Sequence, residues 1–327
     1  MIDPVQLITD DIVEETRAIY EKANQYNLKG INFIGDAVAI YGAAKILKPK
    51  IMCEIGTASG ISSVLMLEGA LQNGGRPTLY SYDIIDKLYY DNNRKVGFFL
   101  YEIAPHLEGY FHLHTGSYAT AFMDDCKHRL NLAYIDANHC NPWAALDLLA
   151  LLPVMENNAY LMFDATDIPV GYMQGPYYIY HYWNGYKFIA PHYSPPHSAT
   201  ITGFLEYDGD AEKAVDSAIY AIGADWQSDV PDEYIEKLTQ IVGNHFGERY
   251  RRKLFDLMNE RAAQYRRYAD SHQHLLKKHL DWIEDVSSQN TSLSAQLTSL
   301  MNRPSWRHTK SIRYVINALR SYIGRHK

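Results

Sequence analysis

The chain has 327 residues, of which 47% are hydrophobic and 21% charged, and a formal net charge of −7. This length and apolar content exclude a disordered chain and leave room for one packed core plus an appendage, while the negative balance argues against general nucleic-acid binding. Three cysteines, Cys53, Cys126 and Cys140, show no metal-ligand spacing and fit a reducing cytoplasm better than a disulfide framework.

Met1-Ile2-Asp3-Pro4-Val5-Gln6 leads into an acidic amphipathic helix within residues 1–35, without the basic, apolar and cleavage regions of a signal peptide. No apolar run reaches membrane-spanning length. From residue 36 helix and strand signals alternate: helices at 36–47, 60–72, 92–104, 117–129 and 142–153, and strands at 50–55, 78–83, 110–114, 131–136 and 158–164. This alternation predicts an α/β domain over 36–230 with a doubly wound, Rossmann-like parallel sheet. Its ligand belongs outside the carboxyl ends of the strands, where Gly56, Asp83, Ser117, Asp136 and Asp164 fall.

The first strand, Lys50 to Ile55, ends in the run Glu54-Ile55-Gly56-Thr57-Ala58-Ser59-Gly60. Gly56 and Gly60 allow a sharp turn and close approach to a ligand, and the helix that opens at Ser59 aims unsatisfied N–H groups at the same place. The spacing Glu-x-Gly-x-x-x-Gly is not the three-glycine dinucleotide fingerprint, so another nucleoside ligand is favoured. Asp83, at the end of Thr78-Leu79-Tyr80-Ser81-Tyr82-Asp83, sits where a carboxylate could accept hydrogen bonds from both ribose hydroxyls.

These two motifs resemble those of the class I S-adenosylmethionine-dependent methyltransferases. Asn131-Leu132-Ala133-Tyr134-Ile135-Asp136-Ala137-Asn138-His139 is similar to a strand end of the subgroup containing sugar and macrolide O-methyltransferases and cephalosporin-hydroxylase-like proteins. Asp147, the stretch Leu149 to Pro153, and Asn157-Asn158 leading to a strand ending in Asp164 continue the pattern, with Asn-Asn in place of the usual Gly-Gly. The likeness covers residues 30 to 206. It implies S-adenosylmethionine as cofactor, held by Glu54, Gly56, Thr57, Ser59, Gly60, Asp83, Ser117 and Asp136. Glu54 would bond the methionine amino group directly or through water, and Ser117 would reach the adenine edge, although helix capping accounts for Ser117 equally well.

Asp136 and Asp164 end adjacent strands, an arrangement that could hold Mg²⁺ and lower the pKa of a sugar hydroxyl. Phe163 and Ala165 flank Asp164 where metal-dependent relatives carry a third carboxylate or amide, and Asp164 could instead cap the following turn. His139 falls where those relatives carry a catalytic base, the alternative being a cap before Pro142. His181, His192 and His197 follow no metal-ligand template.

Residues 170–200 are crowded with Tyr, Trp, His, Gly and Pro, which suits either an acceptor-facing surface or irregular packing. Residues 231–302 read as a helical region. In it Met258, Ala262, Tyr265, Ala269, His272, Leu276, His279, Ile283, Val286, Asn290, Leu293, Leu297 and Leu300 keep 4,3 spacing, which predicts a homo-oligomeric coiled coil or a helix lying on the domain. Residues 303–327 hold seven Lys or Arg and no acid, so the net −7 is the sum of +7 there and −14 in residues 1–302. This basic amphipathic tail suits an anionic membrane surface or a docking partner, and Ser305-Trp306-Arg307 onward resembles the tail of bacterial surface-polysaccharide enzymes.

The reading that follows is a methyltransferase acting on a sugar hydroxyl of a bacterial surface glycan, of the O-antigen or capsule type, or of its lipid-linked precursor. It would be cytoplasmic or peripheral at the inner membrane. The rivals are a non-catalytic scaffold of a polysaccharide assembly complex, a methyltransferase for a small-molecule natural product, and a metal-dependent hydroxylase on the same framework.

Overall fold

The computed structural model describes residues 2–26, 34–72, 74–167, 173–191 and 202–301. In chain order its helices and strands are α1 (Asp10–Gln25), α2 (Ile34–Leu47), β1 (Ile51–Ile55), α3 (Ile61–Leu71), β2 (Thr78–Asp83), β3 (Lys87–Leu88), β4 (Asp91–Lys95), α4 (Phe98–Ile103), β5 (Phe111–Thr115) and α5 (Phe122–Asp125). There follow β6 (Leu130–Ile135), α6 (Trp143–Leu151), β7 (Met155–Phe163), α7 (Gly175–Tyr182), β8 (Lys187–Ile189), β9 (Gly203–Tyr207), α8 (Ala211–Ile222), α9 (Asp232–Phe246) and α10 (Glu248–Met301).

Seven strands form one sheet in the order β5-β2-β1-β6-β7-β9-β8. The five strands from β5 to β7 run parallel, and β9 pairs antiparallel with both β7 and β8. The central strands β1 and β6 and the end of β7 are covered on both sides and read as nearly continuous hydrophobic runs, whereas the edge strand β5, Phe-His-Leu-His-Thr, alternates. Side-chain alternation sends Cys53, Ile55, Ala133 and Ile135 into one core with α6, α8 and α9. Met52, Leu132, Tyr134 and Met162 enter the other core with α2 and α3. Every residue of α6 is buried, so its sequence carries no polar stripe and its single acid, Asp147, lies inside the protein.

Two predicted helices are shorter than expected. Residues 92–97 belong to the β3–β4 hairpin, where the Asp91 carboxylate accepts from the Asn93 N–H in a local turn that competes with helix, and α4 starts only after Gly97, whose φ is +74°. At 117–129 a short 3-10 turn, Ala119–Ala121, leads into the four-residue α5, which stops where Cys126 turns extended. The expected strand at 158–164 begins earlier, at Met155, and Asn158 with φ +65° sits where its register against β6 shifts. Within the aromatic stretch expected over 170–200, α7 and β8 are formed, and residues 192–201 lie outside the described residues.

The chain divides into two compact units, Met1–Tyr265 and Arg266–Lys327. In the first, Tyr234, Ile235, Leu238 and Val242 of α9 and Tyr250, Leu254, Met258 and Ala262 of α10 are part of the core beside α6 and α8. Met258 and Ala262 are therefore core positions of this unit rather than the start of a coiled-coil seam. In the second unit, described to Met301, the seam positions Leu276, Ile283, Val286 and Leu293 are exposed, as are Leu275 and Trp282. The basic tail, 303–327, lies outside the described residues. Among the described residues no helix is long and apolar enough to cross a membrane.

Candidate active site

The turn after β1 is built by contacts that tolerate no side chain. Gly56 takes φ +94°, and a Cβ there would stand 2.1 Å from the Asp136 carbonyl oxygen. The Gly56 N–H donates to the Tyr82 carbonyl at 2.8 Å, which joins the turn to the end of β2. Gly60, at φ +92°, begins α3, and its Cα faces Gly97, the residue that closes the β3–β4 hairpin. Gly97 N–H donates to Ala58 O and Phe99 N–H to Ser59 O, so the hairpin is tied to the same turn.

Asp83 is fixed by the turn. Its Oδ2 accepts from the Ala58 N–H at 3.0 Å and its Oδ1 from the Ile85 N–H at 3.1 Å. Asp83 lines the cleft, and each oxygen has a lone pair beyond the one its N–H partner uses, the number that two vicinal ribose hydroxyls require.

Glu54 is placed differently from expectation. It is fully buried, and its carboxylate accepts from three serine hydroxyls, Ser62, Ser63 and Ser81, each at 2.5 Å. Burial pushes its pKa up to about 7 against the opposing effect of the serines. Glu54 thus ties β1 to α3 and β2 and does not reach the cleft surface. Thr57, bonded to Ser81 at 2.6 Å, and Ser59 are also buried and form the frame of the turn rather than its lining.

The cleft these elements enclose has a volume of about 350 Å³ and is lined by Gly56, Asp83, Ser117 and Asp136 from the predicted set, together with Ala58. It is also lined by Ile84, Ile85 and Tyr89 of the hairpin region and by Tyr118, Trp143 and Asp147. The sequence reading assigned none of these six to the site; the apolar pair directly after the strand-end acid Asp83 was the available signal. A larger concavity of about 720 Å³, lined by Lys48, Lys50, Arg76 and Arg129, lies at the amino ends of the strands and holds none of the candidate residues.

At the far wall Asp136 joins His139 and Asp164, the one group of potential metal ligands found among the described residues. His139 Nε2 lies 3.0 Å from Asp136 Oδ1 and 3.7 Å from Asp164 Oδ2, while the Tyr134 hydroxyl donates to Asp136 Oδ2 at 3.0 Å. Burial pushes Asp164 upward and the Asp136 charge adds to it, with His139 opposing. For His139 burial pulls downward, but the hydrogen bond and charge of Asp136 and the charge of Asp164 outweigh it, and the imidazole is held above its usual value. Two carboxylates and an imidazole whose ligand atoms lie within 4.8 Å of one another suit a divalent cation, and Mg²⁺ is commonly held by only one or two carboxylates with water completing its shell. His181 takes no part in the group, and His192 and His197 lie outside the described residues.

The lateral order of the sheet sets these parts in a row: Ser117 after β5, Asp83 on β2, Gly56 after β1, Asp136 after β6 and Asp164 after β7. Neighbouring strands lie about 4.8 Å apart, so the row spans roughly 19 Å. On the expected assignment a base and ribose belong at its Ser117–Asp83 end and a sulfonium centre at the acid-lined Gly56–Asp136 end. The acceptor capacity left on Asp83 suits the ribose of S-adenosylmethionine, while the space beside Gly56 is taken by the Asp136 backbone.

Comparison with known proteins bears on the same segment. A family model described as a methyltransferase domain matches residues 53–166. None of the curated proteins compared matches the chain. Similar solved structures include the O-methyltransferase TomG of Streptomyces achromogenes, involved in tomaymycin synthesis and bound to S-adenosylmethionine, at 13% identity and a TM-score of 0.43 over 61% of this chain and 90% of that one. An O-methyltransferase of Bacillus cereus in complex with S-adenosylhomocysteine has 14% identity and a TM-score of 0.41, and a methyltransferase of Geobacter sulfurreducens 15% and 0.41, each over 61% of this chain and 90% of the other. The matched segment, residues 53–166, holds the glycine turn, the strand-end acid Asp83 and the acid-lined wall, and it is similar to methyltransferase domains.

Proposed function

We propose that the enzyme methylates a hydroxyl oxygen, and that the acceptor is a sugar of a bacterial surface glycan or its lipid-linked precursor. The observation that carries oxygen transfer is the Asp136–His139–Asp164 group, which shares Asp136 with the cofactor cleft. Bound S-adenosylmethionine supplies an electrophilic methyl group on a positively charged sulfur. Asp83 holds the ribose, the Gly56 turn lets the backbone come close, and the acceptor oxygen is positioned for in-line attack.

Asp136 lines the cleft, whereas His139 stands behind it with its side chain only 13% exposed. Asp136 is therefore the group that meets the acceptor proton, with His139 and the Tyr134 hydroxyl holding its two oxygens in place. Asp136 and Asp164 are the residues that would hold Mg²⁺. The sugar assignment is supported by the likeness of residues 131–139 to sugar O-methyltransferases and by the tail motif at Ser305-Trp306-Arg307. On this reading the exposed stripe of Leu276, Ile283, Val286 and Leu293 joins copies of the chain, and the basic residues from Arg303 hold them at an anionic membrane.

The test is calorimetric titration with S-adenosylmethionine, followed by transfer of a labelled methyl group to surface glycans and to lipid-linked sugar precursors. Binding with label appearing on a sugar oxygen is the expected result. Binding with label only on other acceptors would remove the glycan assignment, and no binding would remove the whole reading.

A further inference from the structure

Asp147 is an acid without a partner in a place where acids need one. It lies on α6, is 4% exposed, and makes no hydrogen bond to any described residue. Burial of an unpaired carboxyl is costly, and here burial pushes its pKa up to about 7. Asp147 is nonetheless part of the cleft lining, one helical turn beyond Trp143, which stacks on the Tyr118 that follows Ser117.

A second polar group nearby is also unsatisfied. The Tyr234 hydroxyl is buried without a hydrogen-bond partner, its ring centroid lies 5.2 Å from that of Trp143, and the Asp147 charge acts on it. Trp143 stacks on Tyr118 with planes 7° apart and centroids 5.7 Å apart, so flat apolar surface adjoins the two polar groups. A flat ligand with polar edges suits such surroundings.

Position in the row of strand ends indicates which part of the ligand arrives here. Asp83 lies on β2 and Asp136 follows β6, with β1 between them, while Ser117 follows β5 on the outer side of β2. With the ribose at Asp83 and the methyl end at Asp136, the group beyond the ribose and away from the methyl is the base. On the S-adenosylmethionine reading of the cleft, we propose that Asp147 recognises the adenine, its carboxyl group meeting the 6-amino edge at the cleft floor. A carboxyl in either protonation state can accept from the exocyclic amine, and in its protonated form it also donates, matching the acceptor N1 beside that amine. Asp147 is thus a specificity-determining residue for the cofactor, on a different element from Ser117.

The test compares S-adenosylhomocysteine with its 6-deamino analogue, purine replacing adenine, by calorimetry on the wild type, Asp147→Ala and Asp147→Asn. The wild type should prefer the adenine ligand by about tenfold or more, the scale of one well-made hydrogen bond in a dry site. The preference should fall to within about twofold in Asp147→Ala and survive in Asp147→Asn, whose amide keeps a donor and an acceptor. Thermal melting without ligand completes the test: since Asp147 bonds nothing in the fold, neither variant should melt lower than the wild type. Adenine binding by the wild type with no preference, or with a preference that persists in Asp147→Ala, overturns the assignment and leaves the cofactor reading standing. A lower melting temperature with unchanged preference assigns Asp147 to the fold and also overturns it. Failure of the wild type to bind either ligand removes the cofactor reading and this assignment together.

Discussion

Gly56 passes so close to Asp136 that a single added methyl group would stand 2.1 Å from the Asp136 carbonyl oxygen. The cofactor turn after β1 and the acid-bearing loop after β6 are thus pressed together by backbone contact. Because Gly56 also has φ +94°, Gly56→Ala adds a strained dihedral, worth about 1–3 kcal/mol, to the clash. Urea unfolding should show a loss of at least about 2 kcal/mol, with S-adenosylmethionine binding abolished; unchanged stability would contradict the geometry.

Asp83→Ala removes the proposed ribose acceptor and leaves the Ala58 and Ile85 N–H groups without their partner. Affinity for S-adenosylmethionine should fall about tenfold to a hundredfold by calorimetry. An affinity within twofold of the wild type would place the ribose elsewhere.

Glu54 makes stability depend on pH in a defined direction. Its folded pKa, raised to about 7 from an ordinary 4.5, lies above the unfolded value, so its contribution is fully present below about pH 4.5 and is lost as pH rises through 7. Glu54→Gln removes that dependence. Denaturation of both proteins between pH 5 and 8 should show the variant gaining on the wild type as pH rises, by an amount on the order of a few kcal/mol. Parallel profiles would mean that Glu54 does not titrate in this window.

Asp136→Asn and His139→Ala separate chemistry from binding. Each should lower kcat by about 10² to 10⁴ while S-adenosylmethionine affinity changes only a few-fold. Single-turnover transfer on an identified acceptor, with and without chelator, measures both the base and any Mg²⁺ held by Asp136 and Asp164. Wild-type rates in both variants would remove the pair from the chemistry.

The second unit offers its own measurement. Leu276, Ile283 and Leu293 are 63%, 55% and 56% exposed, so the double variant Leu276→Asp, Ile283→Asp should fold as the wild type does. If the stripe joins copies of the chain, sedimentation should show a mass multiple for the wild type and a monomer for the variant. A wild-type monomer would end the coiled-coil proposal.

The sequence by itself determined the parts of this protein that depend on neighbours in the chain. The apolar runs of β1, β2 and β6, the glycine turn at Gly56 and Gly60, and an acid at the end of β2 are local patterns, and each produces its element whatever packs around it. Tertiary structure decided the rest, because burial is a property of the assembled fold. Whether Glu54 faces a ligand or three serines depends on where α3 and β2 dock, and nothing within the 54–60 run encodes that. Met258 and Ala262 keep heptad spacing, yet their apolar face is covered by the core of their own unit. The residues of 92–97 were free to form helix until Gly97 and the Ala58 turn tied them into a hairpin. Asp147 is legible in the sequence as the motif acid within the helix after Asp136, but only the placement of α6 beside Tyr118 makes it a buried acid in the cleft lining.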